Sequence, residues 1–305
     1  MDGIFNINKP ADMTSFGVVA RVKRFSGERH IGHAGTLDPL ATGVLPVCLG
    51  QATRVIEYIF DETKVYRTDV ELGKSTDTYD STGQVTRLAD ISGIERETVE
   101  GALVNFRGSI RQTPPMYSAL KHRGMPLYRL ARSGIEVERK SRPAQVHSLE
   151  IIAWQPPVVT LDIVCGKGTY VRSLAHDLGE MLGCGANMKS LSRLKVGPFN
   201  ITDAITLPQL EKIFQDGQGY KYLYPLDFVL LPFSAMVVNM EQQGSLIHGL
   251  PVAFETTAEA RISAVSSDQY CRVYTADGRF LGMVKYDTEN KLWRPEKIFF
   301  KGCSD

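Results

Sequence analysis

Residues 33–43 read HAGTLDPLATG, and the placement of that stretch decides both fold and chemistry. It holds a single acid, Asp38, among small and apolar residues. Pro39 locks its own φ and biases Asp38 away from helix. Gly35 and Gly43 permit sharp bends or the close approach of a neighbouring backbone. Such a loop can present one carboxylate to a ligand in a fixed direction. The same spacing also suits a plain turn in which Asp38 is only a cap, because Asp-Pro is a common turn opener.

Upstream, GIFNINKP (3–10) reads as a short strand ended by Pro10, and Ser15 is placed to cap a helix through FGVVARVKRF (16–25) that stops at Gly27. Downstream, VLPVCLG (44–50) and KVYRTDVELG (64–73) are rich in β-branched residues and bounded by glycine, with the amphipathic TRVIEYIFDE (53–62) between them. Further strands are predicted at 144–154 and 158–166, and helices at 97–106, 126–134, 172–183 and 207–217. After YPLDFVLLPFSAM (224–236) the texture changes to short strand-like pieces at 251–254, 269–275, 279–287 and 297–300, with a turn at Asp277-Gly278. The pattern predicts an α+β chain with a boundary at about 228–232 and a small β-rich module beyond it. A length of 305 residues agrees with two domains.

Composition is 43% hydrophobic and 23% charged, with no apolar run near the ~20 residues that span a bilayer. MDGIFNINKP has no basic segment ahead of an apolar core, so no secretory signal is read and the cytoplasm is the expected location. Cys48, Cys165, Cys184, Cys271 and Cys303 are scattered, without CxxC pairs or Cys/His spacing suited to zinc, so neither disulfides nor a metal are expected. A net charge of +1 hides an uneven distribution. Residues 101–135 carry Arg107, Arg111, Lys121, Arg123, Arg129 and Arg132 and no acid. Interleaved with Phe106, Tyr117 and Tyr128, they suit a nucleic-acid groove, in which cations meet phosphates and rings meet bases. A solvated basic helix face has the same composition.

The extended stretch HAGTLDPLATGVLPVCLGQATR (33–54) resembles the signature of the bacterial tRNA pseudouridine synthase B family (TruB). NKPADMTS (8–15), KVYRTDVELGKSTDTYDSTG (64–83), RQTPPMYSALKHRGMPLYRLARSG (111–134) and CGKGTYVRSLAHDLGEMLGCGANMKSLSRLKVGPF (165–199) are similar to that family in the same order. The resemblance implies a pseudouridine synthase fold with a mixed, mainly antiparallel sheet and flanking helices over residues 1–230. It also implies a thumb-like basic insertion at about 107–135 that closes over the T arm of tRNA. Residues 231–305 are similar, more weakly, to a PUA-like RNA-binding domain, although that segment has 8 Lys and Arg against 9 Asp and Glu.

The family implies isomerisation of the T-loop uridine, position 55, without a cofactor, by an enzyme expected to be a monomer. That reaction breaks the bond from N1 to C1′, rotates the base and joins C5 to C1′, with no redox change. One ionised carboxylate suffices, either attacking C1′ or removing the 2′ proton. The resemblance assigns this role to Asp38 and leaves both routes open. It pairs Arg172 with Asp38, packs Tyr170 in the pocket, stacks Tyr66 on the target base and closes the wall with Leu191. His33 matches the residue that fills the space left by the flipped uridine, and Lys9 one that either touches phosphate or braces the loop. Lys121, Arg123 and Arg129 are expected on RNA. Two other readings use the same residues: a chaperone that remodels the T arm independently of catalysis, and a nucleoside hydrolase, for which no water-activating base is visible.

Overall fold

Alternating apolar residues in VVTLDIVC and KVYRTDVEL make two strands whose side chains face opposite sides of a sheet. In the computed structural model, which describes residues 1–118, 120–253 and 270–299, strands Lys64–Leu72 and Val158–Cys165 pair antiparallel near the middle of a ten-stranded sheet. The order along its main path is Ile205–Thr206, Gly3–Lys9, Thr42–Leu49, Ala186–Val196, Lys64–Leu72, Val158–Cys165, Arg142–Gln155 and Gly108–Gln112. Two pairings are parallel: Gly3–Lys9 with Ile205–Thr206, and Thr42–Leu49 with Ala186–Val196. The mixed, mainly antiparallel sheet expected from the sequence is present.

Both faces of the sheet are covered, because successive residues of one strand join different cores. Phe5, Ile7, Leu45 and Leu49 pack with Val18, Val22, Leu174, Leu178 and Leu210, which belong to helices Ser15–Ser26, Val171–Met181 and Leu207–Gln215. Ile4, Val44 and Cys48 pack instead with Val55, Ile59, Phe199, Val229 and Leu230, and with Met283 and Phe299 from the C-terminal region. That region has its own four-stranded sheet, Ser234–Val238, Tyr270–Thr275, Phe280–Asp287 and Leu292–Ile298. Arg54 and Lys297 tie it to the helical turn Gly50–Val55 that follows strand Thr42–Leu49, donating to the carbonyls of Ile298 and Arg54 at 2.7 and 2.6 Å. Among the described residues, no helix is long and apolar enough to cross a membrane.

Several local expectations differ from the structure. Thr14, not Ser15, caps the first helix, with its Oγ1 accepting from the Gly17 amide at 2.9 Å, because Ser15 turns inward. Val252 makes only an isolated bridge to Trp293 where a strand was read at 251–254, and Phe254 lies outside the described residues. Among the described residues the last strand is Leu292–Ile298, where 297–300 was expected, because its register is set by pairing along Gly282 to Asp287; Phe300 lies outside the described residues. A helix at Met240–Ile247 was not read at all, although Asn239 and Gln242 form a capping box at its start.

Candidate active site

The loop carrying Asp38 leads into strand Thr42–Leu49, where that strand makes its parallel pairing with Ala186–Val196. Three buried side chains from elsewhere in the sequence hold the loop. Ser15 Oγ accepts from the Leu37 amide at 2.9 Å and donates to the Leu37 carbonyl at 3.1 Å. Lys9 is fully buried, and its Nζ donates to the carbonyls of Pro10, Met13 and Pro39 at 2.8, 2.5 and 3.0 Å. Burial pulls the Lys9 ammonium down to about 8. Arg193, also fully buried, donates from Nε to the Val44 carbonyl at 2.7 Å and from Nη2 to the Gly35 carbonyl at 2.9 Å.

The two glycines of the loop answer to Arg193. Gly35 has φ +93° and Gly43 φ +102°, values that L side chains rarely adopt. A Cβ on Gly35 would sit 3.2 Å from Arg193 Nη1, and one on Gly43 would collide with the Arg193 backbone. The loop is therefore bent onto one arginine at both ends.

Arg172 faces Asp38 from the first turn of helix Val171–Met181. A cation there opposes the helix dipole, and its partners offset that cost. Its Nε and Nη2 lie 2.9 and 3.0 Å from the two Asp38 oxygens, a planar fork on a carboxylate. Nη2 also donates to the Tyr117 carbonyl at 2.8 Å, and Nη1 lies 3.6 Å from Asp80 Oδ2. The Asp38 side chain keeps 32% of its surface open, whereas that of Arg172 keeps 7%. Burial pushes the Asp38 carboxyl above its ordinary range; Arg172 opposes this, Asp80 adds to it, and Lys9 pulls it back further. The fork binds the ionised form, so Arg172 both orients Asp38 and counters its desolvation.

Around this pair lie the other residues read from the sequence. Tyr66 is half-buried on the central strand beside Arg193, and burial raises its phenol, which the Arg193 charge and hydrogen bond oppose. Tyr170 is half-buried; its amide donates to Gln112 Oε1 at 2.9 Å, and Gln112 Nε2 donates back to its carbonyl at 3.1 Å. Leu191 is buried on strand Ala186–Val196. His33 ends strand Ile31–His33; burial followed by the Arg193 charge lowers its imidazole, and its Nδ1 is buried without a partner. Lys121, Arg123 and Arg129 are exposed on the hairpin and helix at 121–132, away from the loop in sequence but joined to the site through Tyr117. Arg107 and Arg111 of the same basic stretch are engaged, the first with the Leu149 carbonyl and the second with Ser141.

Three contributors were not singled out from the sequence: Ser15 as a bolt on the loop, Arg193, and Asp80. Asp80 is 4% exposed, and its Oδ1 accepts from Thr78 Oγ1, the Thr82 amide and Thr82 Oγ1 at 2.8, 3.0 and 2.6 Å. The T-D-T-Y-D-S-T spacing is the one available signal, since an aspartate flanked by threonines at two residues on either side can be locked this way.

Among solved structures, one chain of a Cbf5-Nop10-Gar1 complex superposes with a TM-score of 0.73 at 25% identity, covering 98% of this chain and 85% of that one. Residues 23–171 match the family model described as TruB family pseudouridylate synthase, N terminal domain, and residues 172–238 match the tRNA pseudouridylate synthase B C-terminal domain. Fold and matched models place the chain in the class of pseudouridine synthases. Within that class it belongs to the TruB family: a tRNA pseudouridine synthase B of Dehalococcoides mccartyi is 43% identical over 99% of this chain and 98% of its own length. Another, from Syntrophotalea carbinolica, is 44% identical over 85% of this chain and 84% of its own.

Proposed function

We propose that this chain is a tRNA pseudouridine synthase that isomerises the T-loop uridine, position 55, with Asp38 as the essential carboxylate. The observation that carries the reading is the fork of buried Arg172 on the half-open Asp38. It is what a carboxylate needs to stay ionised in a dry pocket while one face remains free for a ribose. The relatives named tRNA pseudouridine synthase B supply the substrate class.

Asp38 either attacks C1′ as the bond from N1 breaks, giving an ester that C5 displaces after the base turns, or takes the 2′ proton to give a glycal and returns it to C2′ as C5 bonds to C1′; in both routes the C5 proton then leaves and N1 ends protonated, so the atoms balance without a cofactor. The Tyr66 ring supports the extruded base, with Leu191 and Tyr170 as pocket walls. His33 occupies the gap left in the RNA. Lys9, its three donors taken by carbonyls, braces the loop and does not meet phosphate. Lys121, Arg123 and Arg129 grip the T arm. The enzyme acts as a monomer in the cytoplasm, with a catalytic domain to about residue 230 and a PUA-like domain beyond it; the separate sheet that begins at Ser234 supports that division.

The deciding experiment uses unmodified tRNA carrying tritium at uridine C5. Release of tritium with intact RNA is the expected result. Free uracil in place of tritiated water would make the chain a hydrolase, and neither product, with binding retained, would leave only a tRNA-remodelling role.

A further inference from the structure

The helix Ser15–Ser26, SFGVVARVKRFS, contains Arg21, Lys23 and Arg24 and no acid. At about 100° per residue, the buried Ser15, Val18, Val19 and Val22 share the inner side, while Phe16, Ala20 and Lys23 line up on one exposed flank. Among the described residues Phe16 is left 76% exposed, an apolar ring on a helix whose charged residues are all basic.

The neighbours of that flank place it beside the Asp38 loop. Further round the helix, Arg24 pairs with Glu211 at 3.5 Å. Glu211 lies on helix Leu207–Gln215, which follows the edge strand Ile205–Thr206 directly. Arg24 is thus engaged within the protein, and Lys23 is the cation of the Phe16 flank. The start of the helix is also fixed to the catalytic loop on both sides of Asp38. Ser15 holds Leu37, and Lys9 spans from the Met13 carbonyl to that of Pro39. Phe16 is thus the next residue after a bolt on the loop.

We infer that the Phe16–Lys23 flank of this helix is a second contact surface for the tRNA substrate, separate from the basic thumb, with Phe16 stacking on an unpaired base near the flipped nucleotide and Lys23 meeting a backbone phosphate. This rests on the tRNA reading above. A polyanion with splayed bases matches an uncovered ring on a helix whose charged residues, Arg21, Lys23 and Arg24, are all basic. The thumb reaches the site through Tyr117, whereas this surface reaches it through Leu37 and Pro39.

The test is tRNA binding by full-length Phe16→Ala, Phe16→Tyr and Lys23→Ala across a salt series, with thermal unfolding and sedimentation on each. Phe16→Ala weakens binding about tenfold with little change in the slope of log affinity against log salt, Phe16→Tyr stays near the parent, and Lys23→Ala flattens the slope by about 0.7–0.9. The losses fall on affinity more than on the single-turnover rate at saturating tRNA. If the parent binds and isomerises tRNA while Phe16→Ala and Lys23→Ala match it in affinity and slope, the inference is wrong and the tRNA reading stands. If the parent itself neither binds nor isomerises tRNA, the reading above fails first. Dissociation of a dimer in Phe16→Ala, with tRNA affinity unchanged, would make this flank a protein interface and overturn the inference.

Discussion

The Asp38 loop at 33–43 and the thumb-like basic segment at about 107–135 both face the substrate in the proposed reaction, and they are built in opposite ways. The loop is short of charge, but Lys9, Ser15 and Arg193 tie its backbone at Gly35, Leu37 and Pro39, and its following strand at Val44. The thumb is rich in charge, and Lys121, Arg123 and Arg129 stand exposed on a two-residue-per-strand hairpin and a short helix. A group that must meet a transition state gains from being fixed beforehand. Groups that neutralise phosphates along a varied RNA surface gain from reach and adaptability. The two segments meet where Arg172 holds both Asp38 and the Tyr117 carbonyl.

If that division is right, the loop and the thumb respond differently to mutation. The largest effect belongs to Asp38→Asn, which keeps the shape and removes the charge. It lowers the single-turnover rate by about a thousandfold or more while tRNA affinity stays within a few-fold; a variant retaining a tenth of the rate would place the chemistry elsewhere. Next comes Arg172→Lys, which keeps a cation but loses the planar fork. A rate loss of about a hundredfold, exceeding any loss of affinity, is expected from stopped reactions at saturating tRNA.

The same pair sets the acid limb of kcat/KM. The active form is the ionised Asp38, so activity falls as pH drops through a carboxyl that burial holds above its ordinary range. Removing the opposing guanidinium in Arg172→Met moves that limb to higher pH, and removing the like charge in Asp80→Asn moves it lower. A limb that stays in place in both variants would mean that Asp38 titrates independently of them.

Smaller effects come from residues that touch the base or the phosphates. Tyr66→Leu cuts the rate about tenfold or more and Tyr66→Phe much less, if the ring only stacks; equal failure of both would give the hydroxyl beside Arg193 a proton-moving role. The triple change Lys121→Ala, Arg123→Ala and Arg129→Ala flattens the slope of log affinity against log salt by about 2 to 3 and weakens all tRNAs alike, with little change in saturating rate. An unchanged slope would show that the thumb faces solvent in the complex.

The sequence made some of these parts legible and hid others for physical reasons. Asp38 stood out because a lone acid with proline and glycines at its flanks is a local pattern. Arg172, Tyr66 and Leu191 came through resemblance, since their meeting with Asp38 depends on strands and helices far apart in the chain. Arg193 stayed hidden because its partners are backbone carbonyls, which carry no side-chain signature. Its strand, Ala186–Val196, was equally obscure: NMKSLSRLKV reads as a polar stretch, although it lies in the centre of the sheet with Arg193 turned inward. Ser15 was read as a cap when the neighbouring Thr14 takes that task, and two adjacent hydroxyls cannot be ranked without knowing which side the core is on.

The long separation between the loop and its anchors sets a timetable for the nascent protein. Asp38 is made early, but Arg172 and Arg193, which orient it and bend its loop, lie 134 residues beyond Asp38 and 158 residues beyond Gly35. At roughly 5–20 residues per second on the ribosome, the carboxylate waits about seven to thirty seconds for its site to exist. Until the strand Ala186–Val196 slots in beside Thr42–Leu49, the emerging chain displays its basic segment while the Asp38 loop lacks its anchors, so in the proposed reaction RNA capture becomes available before catalysis does.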